Sequence, residues 1–166
     1  TGMAYIANAG LLDGAFDSAF KGAYGFVSNV SGGVITGNQY GIRFTGEGTV
    51  ANNGFIQALI GVAGRVDLYN ERNIYGFSSG AVLVAGSTVT NAVSGLIQSY
   101  AYDALRVSDA VVTNSGIILG RTNTGIHHHG IHALGGLQLQ NKATGTIVAY
   151  TAVVAENGPD PAGPRF

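Results

Sequence analysis

Residues 111–120 read Val111-Val112-Thr113-Asn114-Ser115-Gly116-Ile117-Ile118-Leu119-Gly120, and this stretch contains the pattern that decides the fold. At its centre an aliphatic residue, any residue and an asparagine form a triplet, and another aliphatic residue follows four positions after the asparagine. The triplet recurs along the chain, and its asparagines are Asn8, Asn29, Asn52, Asn70, Asn91, Asn114 and Asn141. Successive asparagines are 21, 23, 18, 21, 23 and 27 residues apart. Self-similarity at such a period is typical of a solenoid, here of about seven stacked units.

The residues within each unit favour strands over helices. The chain has 27 glycines and many β-branched or aromatic residues, which disfavour helix and favour short strands between turns. Apolar and polar residues alternate with a period of two, as in Ile42-Arg43-Phe44. Three strands in each unit of about 22 residues predict an all-β fold, a single-stranded parallel β-helix of about seven coils. The alternation predicts inward side chains for Ile42, Phe44, Val82, Val84, Leu105 and Val107.

The turn after each asparagine comes in two lengths. The next aliphatic residue stands four positions on, as Ile56 does after Asn52, or six positions on, as Ile97 does after Asn91. We interpret the difference as a turn insertion that leaves the strands in register, and expect a tighter or distorted corner at Asn70. Stacked asparagines at one corner are predicted to form a structural ladder of hydrogen bonds between coils. The alternative is a row of polar ligands for a sugar or a metal.

Composition limits the classes of function. The 166 residues carry a net charge of −1, and the eight lysines and arginines are scattered, so we expect no nucleic-acid binding. No cysteine is present, which excludes disulfides and thiolate metal sites. The longest apolar stretches, residues 80–86 and 146–155, are shorter than the roughly 18 to 20 residues that span a bilayer, so no membrane-spanning segment is predicted. The sequence divides into a β-helix over residues 1–155 and a proline-rich tail over residues 156–166.

The carboxylates do not form a convincing catalytic set. Glycoside hydrolysis needs two carboxyl groups roughly 5 to 9.5 Å apart. Glu47 and Asp109 occupy the same position relative to their asparagines, but three coils separate them, or about 14 Å at the usual strand spacing. Arg65 is expected beside Glu47 on the adjoining coil. We therefore predict no catalytic residue, no enzyme activity and no cofactor.

A run of histidines, His127-His128-His129-Gly130-Ile131-His132, is the one local departure from the repeat. Alternation predicts that His127 and His129 point outward and His128 inward, and that His132 points outward if Ile131 is buried. Outward imidazoles two residues apart can share a zinc or nickel ion. His127, His129 and His132 are thus candidate metal ligands, against the simpler interpretation of a polar surface strand.

The stretch quoted above, together with Gly86-Ser87-Thr88-Val89-Thr90-Asn91, resembles the repeat of bacterial autotransporter passengers and filamentous-haemagglutinin-like adhesins. The resemblance extends over roughly residues 4–155. It implies a right-handed parallel β-helix, secretion to the bacterial cell surface, and a role as a stalk, adhesin or fibre. A host or cell-surface glycan or protein would be the partner.

The ends of the sequence suggest association. The first triplet begins at residue 6, which leaves no room for a capping helix, so the chain is expected either to continue a longer β-helix or to stack end to end in a fibre. The tail residues Pro159, Pro161, Pro164 and Phe166 are candidates for docking on a neighbouring subunit. The predicted function is a non-enzymatic, extracellular structural or adhesive β-helix. The alternative is a carbohydrate-active β-helix, similar to a polysaccharide lyase or glycosidase.

Overall fold

A computed structural model describes residues 3–121 and 128–156, which form a β-solenoid of about seven turns. These residues contain seventeen strands and no helix. In chain order the strands are β1 (Ala4–Asn8), β2 (Leu11–Gly14), β3 (Ser18–Gly22), β4 (Gly25–Asn29), β5 (Val34–Gly37), β6 (Tyr40–Asn52), β7 (Phe55–Asn70), β8 (Asn73–Leu83), β9 (Thr88–Asn91), β10 (Leu96–Ser99), β11 (Leu105–Val107), β12 (Ala110–Asn114), β13 (Ile117–Leu119), β14 (His129–Leu134), β15 (Leu137–Asn141), β16 (Thr146–Val148) and β17 (Thr151–Glu156).

Every strand pairs in parallel with the equivalent strand of a neighbouring coil, which confirms the predicted fold class. The paired strands form three faces of the solenoid. The asparagine face contains β1, β4, β9, β12, β15 and the final parts of β6 and β7. The second face contains β2, β5, β10, β13, β16 and the first parts of β7 and β8. The third face contains β3, β11, β14, β17, the first part of β6, the middle of β7 and the end of β8. Coil five is β9 to β11, coil six is β12 to β14, and coil seven is β15 to β17.

Three columns of apolar side chains, one behind each face, form most of the core. On the asparagine face the column is Ile6, Val27, Val50, Leu68, Val89, Val112 and Leu139. On the second face it is Leu12, Ile35, Ile56, Ile74, Ile97, Ile118 and Ile147. On the third face it is Phe20, Ile42, Val62, Ala81, Leu105, Ile131 and Val153. The inner members are buried, and so is Phe20 of the first coil. At the two ends the other members are less covered: Ile6, Leu12, Leu139 and Ile147 are partly buried and Val153 is exposed.

One predicted part of the core is wrong. Of the six side chains expected to point inward, Ile42, Phe44, Leu105 and Val107 are buried, but Val82 is only partly buried and Val84 is half exposed. Ala81 and Leu83 occupy the core instead. Four consecutive apolar residues carry no alternation, so the phase of this strand is set by its neighbours, and Ala81 pairs with both Val62 and Leu105.

The second-face column confirms the interpretation of the two turn lengths. Ile56 and Ile74, four residues after their asparagines, pair in register with Ile35 and Ile97, six residues after theirs. The tighter or distorted corner expected at Asn70 is not found. Asn70 pairs with Asn52, and after a two-residue turn in each coil Asn73 pairs with Phe55, so the two corners are equivalent. The 18-residue unit is shortened at its other corners, where β7 turns through single residues.

One of these corners is Gly64, whose φ is 117°. A side chain there would be strained and would also overlap the backbone of Phe44, so glycine is the residue that permits this turn. Within the two described stretches, no helix has the length and hydropathy that a bilayer-spanning segment requires.

Candidate functional site

The seven asparagines form a continuous chain of side-chain hydrogen bonds along one corner of the solenoid. In each step the Nδ2 of one asparagine donates to the Oδ1 of the asparagine in the next coil. The six steps run from Asn8 to Asn29 (2.9 Å), Asn29 to Asn52 (2.9 Å), Asn52 to Asn70 (2.8 Å), Asn70 to Asn91 (2.8 Å), Asn91 to Asn114 (2.8 Å) and Asn114 to Asn141 (2.8 Å).

The ladder lies within the protein rather than on its surface. Asn29, Asn70, Asn91 and Asn114 are fully buried, and only the last member, Asn141, is exposed. Each Nδ2 also contacts backbone carbonyls of the turns; that of Asn91 donates to Gly95 (3.2 Å) and Ile117 (3.1 Å). The side-chain amides therefore make their hydrogen bonds within the fold, which leaves them unsuited to bind an external sugar or metal.

The two carboxylates considered for glycoside hydrolysis lie in unrelated surroundings. Glu47 pairs with Arg65 in the neighbouring strand, as expected, and their charged atoms are 2.7 Å apart on a half-exposed surface. Asp109 has a positive φ of 43° and accepts the backbone N–H of Gly136 at 2.7 Å. Glu47 is therefore a surface ion pair and Asp109 a turn residue.

A buried polar cluster connects coils five and six. Asp103 lies between β10 and β11, and His129 and His132 lie in β14 of the following coil. The Oδ1 atom of Asp103 lies 2.7 Å from His129 Nδ1 and accepts the backbone N–H of His129 at 3.2 Å. The Oδ2 atom lies 3.0 Å from His132 Nδ1. One carboxylate thus holds two imidazoles, which we call the Asp–His–His cluster.

Electrostatics within this cluster favour the charged forms of Asp103 and His132. Burial opposes the ionisation of Asp103, but hydrogen bonds and charge interactions with His132 and His129 outweigh it and lower the pKa of this carboxyl. The hydrogen bond with Asp103 raises the pKa of His132, although burial of the ring opposes this effect. Glu156 in β17 adds to the increase, since its Oε1 lies 3.6 Å from His132 Nε2.

The structure changes the predicted histidine set. Ile131 is buried and the side chain of His132 leaves the aliphatic core, yet His132 is covered by Asp103 and Glu156 and is only 8% exposed. Asp103, which lies outside the histidine run, was not among the predicted ligands. The repeat contained the information needed to find this contact. Leu105 and Ile131 occupy equivalent positions in their coils, and the residues two positions before them are Asp103 and His129, which therefore lie side by side. His127 lies outside the described residues, as do Pro159, Pro161, Pro164 and Phe166.

Aromatic side chains form a patch on the second face, outside the core. Phe55, Tyr75 and Tyr100 follow one another along the solenoid axis, with ring centroids 5.3 and 6.2 Å apart, and Phe77 lies 5.7 Å from Tyr100. We call these four residues the aromatic patch. Phe77 and Tyr100 are about half exposed. A shallow groove beside Tyr100 adds polar groups from Gln98 and Arg121.

Comparisons of the chain with protein-family models, with curated proteins and with solved structures gave no match.

Proposed function

We propose that this chain is a non-enzymatic structural element of the bacterial cell surface, a stalk or fibre segment that also presents an adhesive face. The observation that supports it is the asparagine ladder, which continues without interruption through all seven coils. Because each coil repeats the same core columns and the same polar corner, most of the sequence is used to build a rod. A rod is the shape that a spacer or stalk needs.

The direction of the hydrogen bonds suits such a role. Strands pair in parallel from coil to coil, so backbone and asparagine hydrogen bonds both run along the axis. Neighbouring strands lie ~4.8 Å apart, and seven coils therefore give a rod on the order of 34 Å long. End-to-end association, or continuation into a longer β-helix, would extend the same pairing.

The aromatic patch supports the adhesive part of the proposal. Exposed aromatic rings offer apolar faces on which the C–H groups of a sugar ring can pack, and Gln98 and Arg121 supply hydrogen bonds beside them. A cell-surface glycan has both kinds of group. We therefore propose a glycan as the ligand of this face.

Labelling of intact cells tests the structural role. Antibodies against the chain are expected to stain intact bacteria that produce it, because a stalk or fibre must be outside the cell. Staining that appears only after the cells are permeabilised would contradict the proposal. Electron microscopy of the purified chain at neutral pH then separates its two forms, since filaments indicate a fibre subunit and single particles a stalk segment.

Glycan binding tests the proposed adhesive face, and polysaccharide cleavage tests the proposal that the chain is not an enzyme. Binding to a glycan array is expected to weaken strongly in Tyr100→Ala, whereas Tyr5→Ala, which removes an exposed aromatic residue on the asparagine face, serves as the matched control. Equal binding by the two variants would contradict the assignment of the patch.

Acidic and capsular polysaccharides should remain intact after incubation with the protein; cleavage that Glu47→Gln or Asp109→Asn abolishes would instead establish the carbohydrate-active alternative.

A further inference from the structure

The Asp–His–His cluster has the composition and spacing of a metal site. We propose that Asp103, His129 and His132 bind one divalent first-row transition metal ion, such as Zn²⁺, between coils five and six. The site is distinct from the asparagine ladder and the aromatic patch, so it does not depend on the proposed surface function.

The distances between the donor atoms carry this inference. One ligand atom from each of the three residues lies within 4.8 Å of the other two. The carboxylate oxygens are already 2.7 Å and 3.0 Å from the two Nδ1 atoms. Around a tetrahedral Zn²⁺ with metal–ligand distances near 2.0–2.2 Å, donor atoms sit roughly 3.3 Å apart. A cation could therefore replace the two shared protons with movements of a few tenths of an ångström to about an ångström.

His132 provides a second, independent observation. Its side chain is nine-tenths buried, and its Nε2 atom has no hydrogen-bond partner among the described residues. Coordination of a metal by Nδ1 would place the ring proton on Nε2, which faces Glu156 Oε1 at 3.6 Å. Metal-bound histidines commonly donate their second ring N–H to a carboxylate in this way. The orphaned nitrogen thus gains a role when the ion is present.

The surrounding backbone holds the ligands in place. His129 and His132 are three residues apart in β14, which pairs with β11 on one side and β17 on the other. The residues on either side of Asp103 are fixed to neighbouring coils, since Tyr102 N donates to Ser78 O and Ala104 N donates to His129 O, each at 3.0 Å. Ligands held by rigid elements lose little conformational freedom when an ion binds.

The kinds of ligand select the class of metal. Two imidazoles and one carboxylate suit Zn²⁺, Ni²⁺, Co²⁺ or Fe²⁺, whereas Ca²⁺ and Mg²⁺ prefer sets made only of oxygen. Three protein ligands leave a coordination position for water or an external group. The proposal therefore predicts selective binding of transition metals.

Metal titration of the untagged wild-type chain, stripped with a chelator, tests the site directly. We expect one equivalent of Co²⁺ to bind and give visible d–d absorption, one equivalent of Zn²⁺ to displace it, and Mg²⁺ to have no effect. Absence of both Co²⁺ absorption and a heat of Zn²⁺ binding would overturn the proposal, and the cluster would then be a hydrogen-bonded structural contact.

Variants identify the ligands. Asp103→Asn and His132→Gln should abolish the Co²⁺ spectrum, while Glu156→Gln, which leaves all three ligands in place, should weaken affinity about 10- to 100-fold. His127→Gln is the matched control and should bind as the wild type does. Loss of binding in His127→Gln with retention in Asp103→Asn would overturn the proposal in favour of the set His127, His129 and His132. Circular dichroism of each variant shows whether it is folded.

Discussion

At the scale of the residue, the important property of asparagine is that its side chain both donates and accepts hydrogen bonds while remaining neutral. One amide per coil can therefore accept from the coil on one side and donate to the coil on the other, and the ladder repeats indefinitely. Aspartate could only accept, and a column of buried negative charges would repel itself. Seven asparagines at one corner are the simplest solution to a polar column inside a stacked fold.

Removal of one amide from the middle of the ladder is expected to destabilise the protein. In Asn91→Ala the buried Oδ1 of Asn114 loses its donor in the ladder and Asn70 Nδ2 loses its acceptor there, so we expect a loss of about 2–3 kcal/mol in the free energy of unfolding. Chemical denaturation measures it. Asn141→Ala is the control and should cost less than about 1 kcal/mol, because the position is exposed and Asn114 Nδ2 keeps two backbone acceptors. Equal losses at both positions would contradict the proposed role of the ladder.

Beyond the first coil, most glycines of the asparagine corner are required for space. A Cβ at Gly95 would overlap the Oδ1 of Asn91, whereas a Cβ at Gly10, at the same corner of the first coil, would meet no atom within 4 Å. We expect Gly95→Ala to lower the free energy of unfolding by about 1–3 kcal/mol, the usual cost of overpacking. Gly10→Ala should leave stability unchanged or raise it slightly. Thermal unfolding of the pair distinguishes them, and a similar change in both would show that the corner can relax.

At the scale of the element, the part of each strand that lies on a given face contributes one side chain to the column behind that face, and the columns hold the strands in register. Ile97 in β10 is fully buried between Ile74 and Ile118, whereas Ile147 in β16 occupies the same column at the last coil and is only partly buried. Position along the solenoid, rather than residue type, thus determines how much apolar surface each strand buries.

Truncation of the two isoleucines tests this dependence on position. Ile97→Ala should lower the free energy of unfolding by about 2–5 kcal/mol, because it leaves a cavity that the neighbouring coils cannot close. Ile147→Ala should cost clearly less, since water already reaches that side chain. The comparison uses denaturant unfolding of both variants, and an equal cost would indicate that the terminal coil is as well packed as the central ones.

Sequence periodicity was sufficient for the elements and insufficient for contacts between them. The triplets predicted the fold class, the core aliphatic columns at positions such as Ile97, and the equivalence of the two turn lengths. Periodicity gave the wrong inward side chains at Val82 and Val84, because four apolar residues in succession show no alternation and the neighbouring strands decide which of them face the core. Periodicity also missed Asp103, because its contact with His129 appears only when two coils of unequal length are aligned.

At the scale of the whole molecule, the solenoid joins coils of 18 to 27 residues into one regular stack. Variation in length is confined to the corners, as at Gly64, while the paired positions of all three faces stay in register. Such a stack is stabilised mainly by contacts between nearest neighbours. The segment between β13 and β14 is longer than the segment between β10 and β11, and the Asp–His–His cluster lies beside it. A departure from the repeat can thus add a polar cluster while the stack of coils stays regular.

Distances between spin labels on one face test the central claim, seven coils stacked in register, most directly. The chain has no cysteine, so cysteines introduced at Gln138 and, in turn, at Thr49, Phe26 or Tyr5 carry the only labels. These positions are joined by the observed register through four, five and six coil steps, and neighbouring strands lie ~4.8 Å apart. Electron paramagnetic resonance should therefore give backbone separations of about 19, 24 and 29 Å, which increase by one strand spacing per coil. Separations that do not rise in equal steps would contradict the stack.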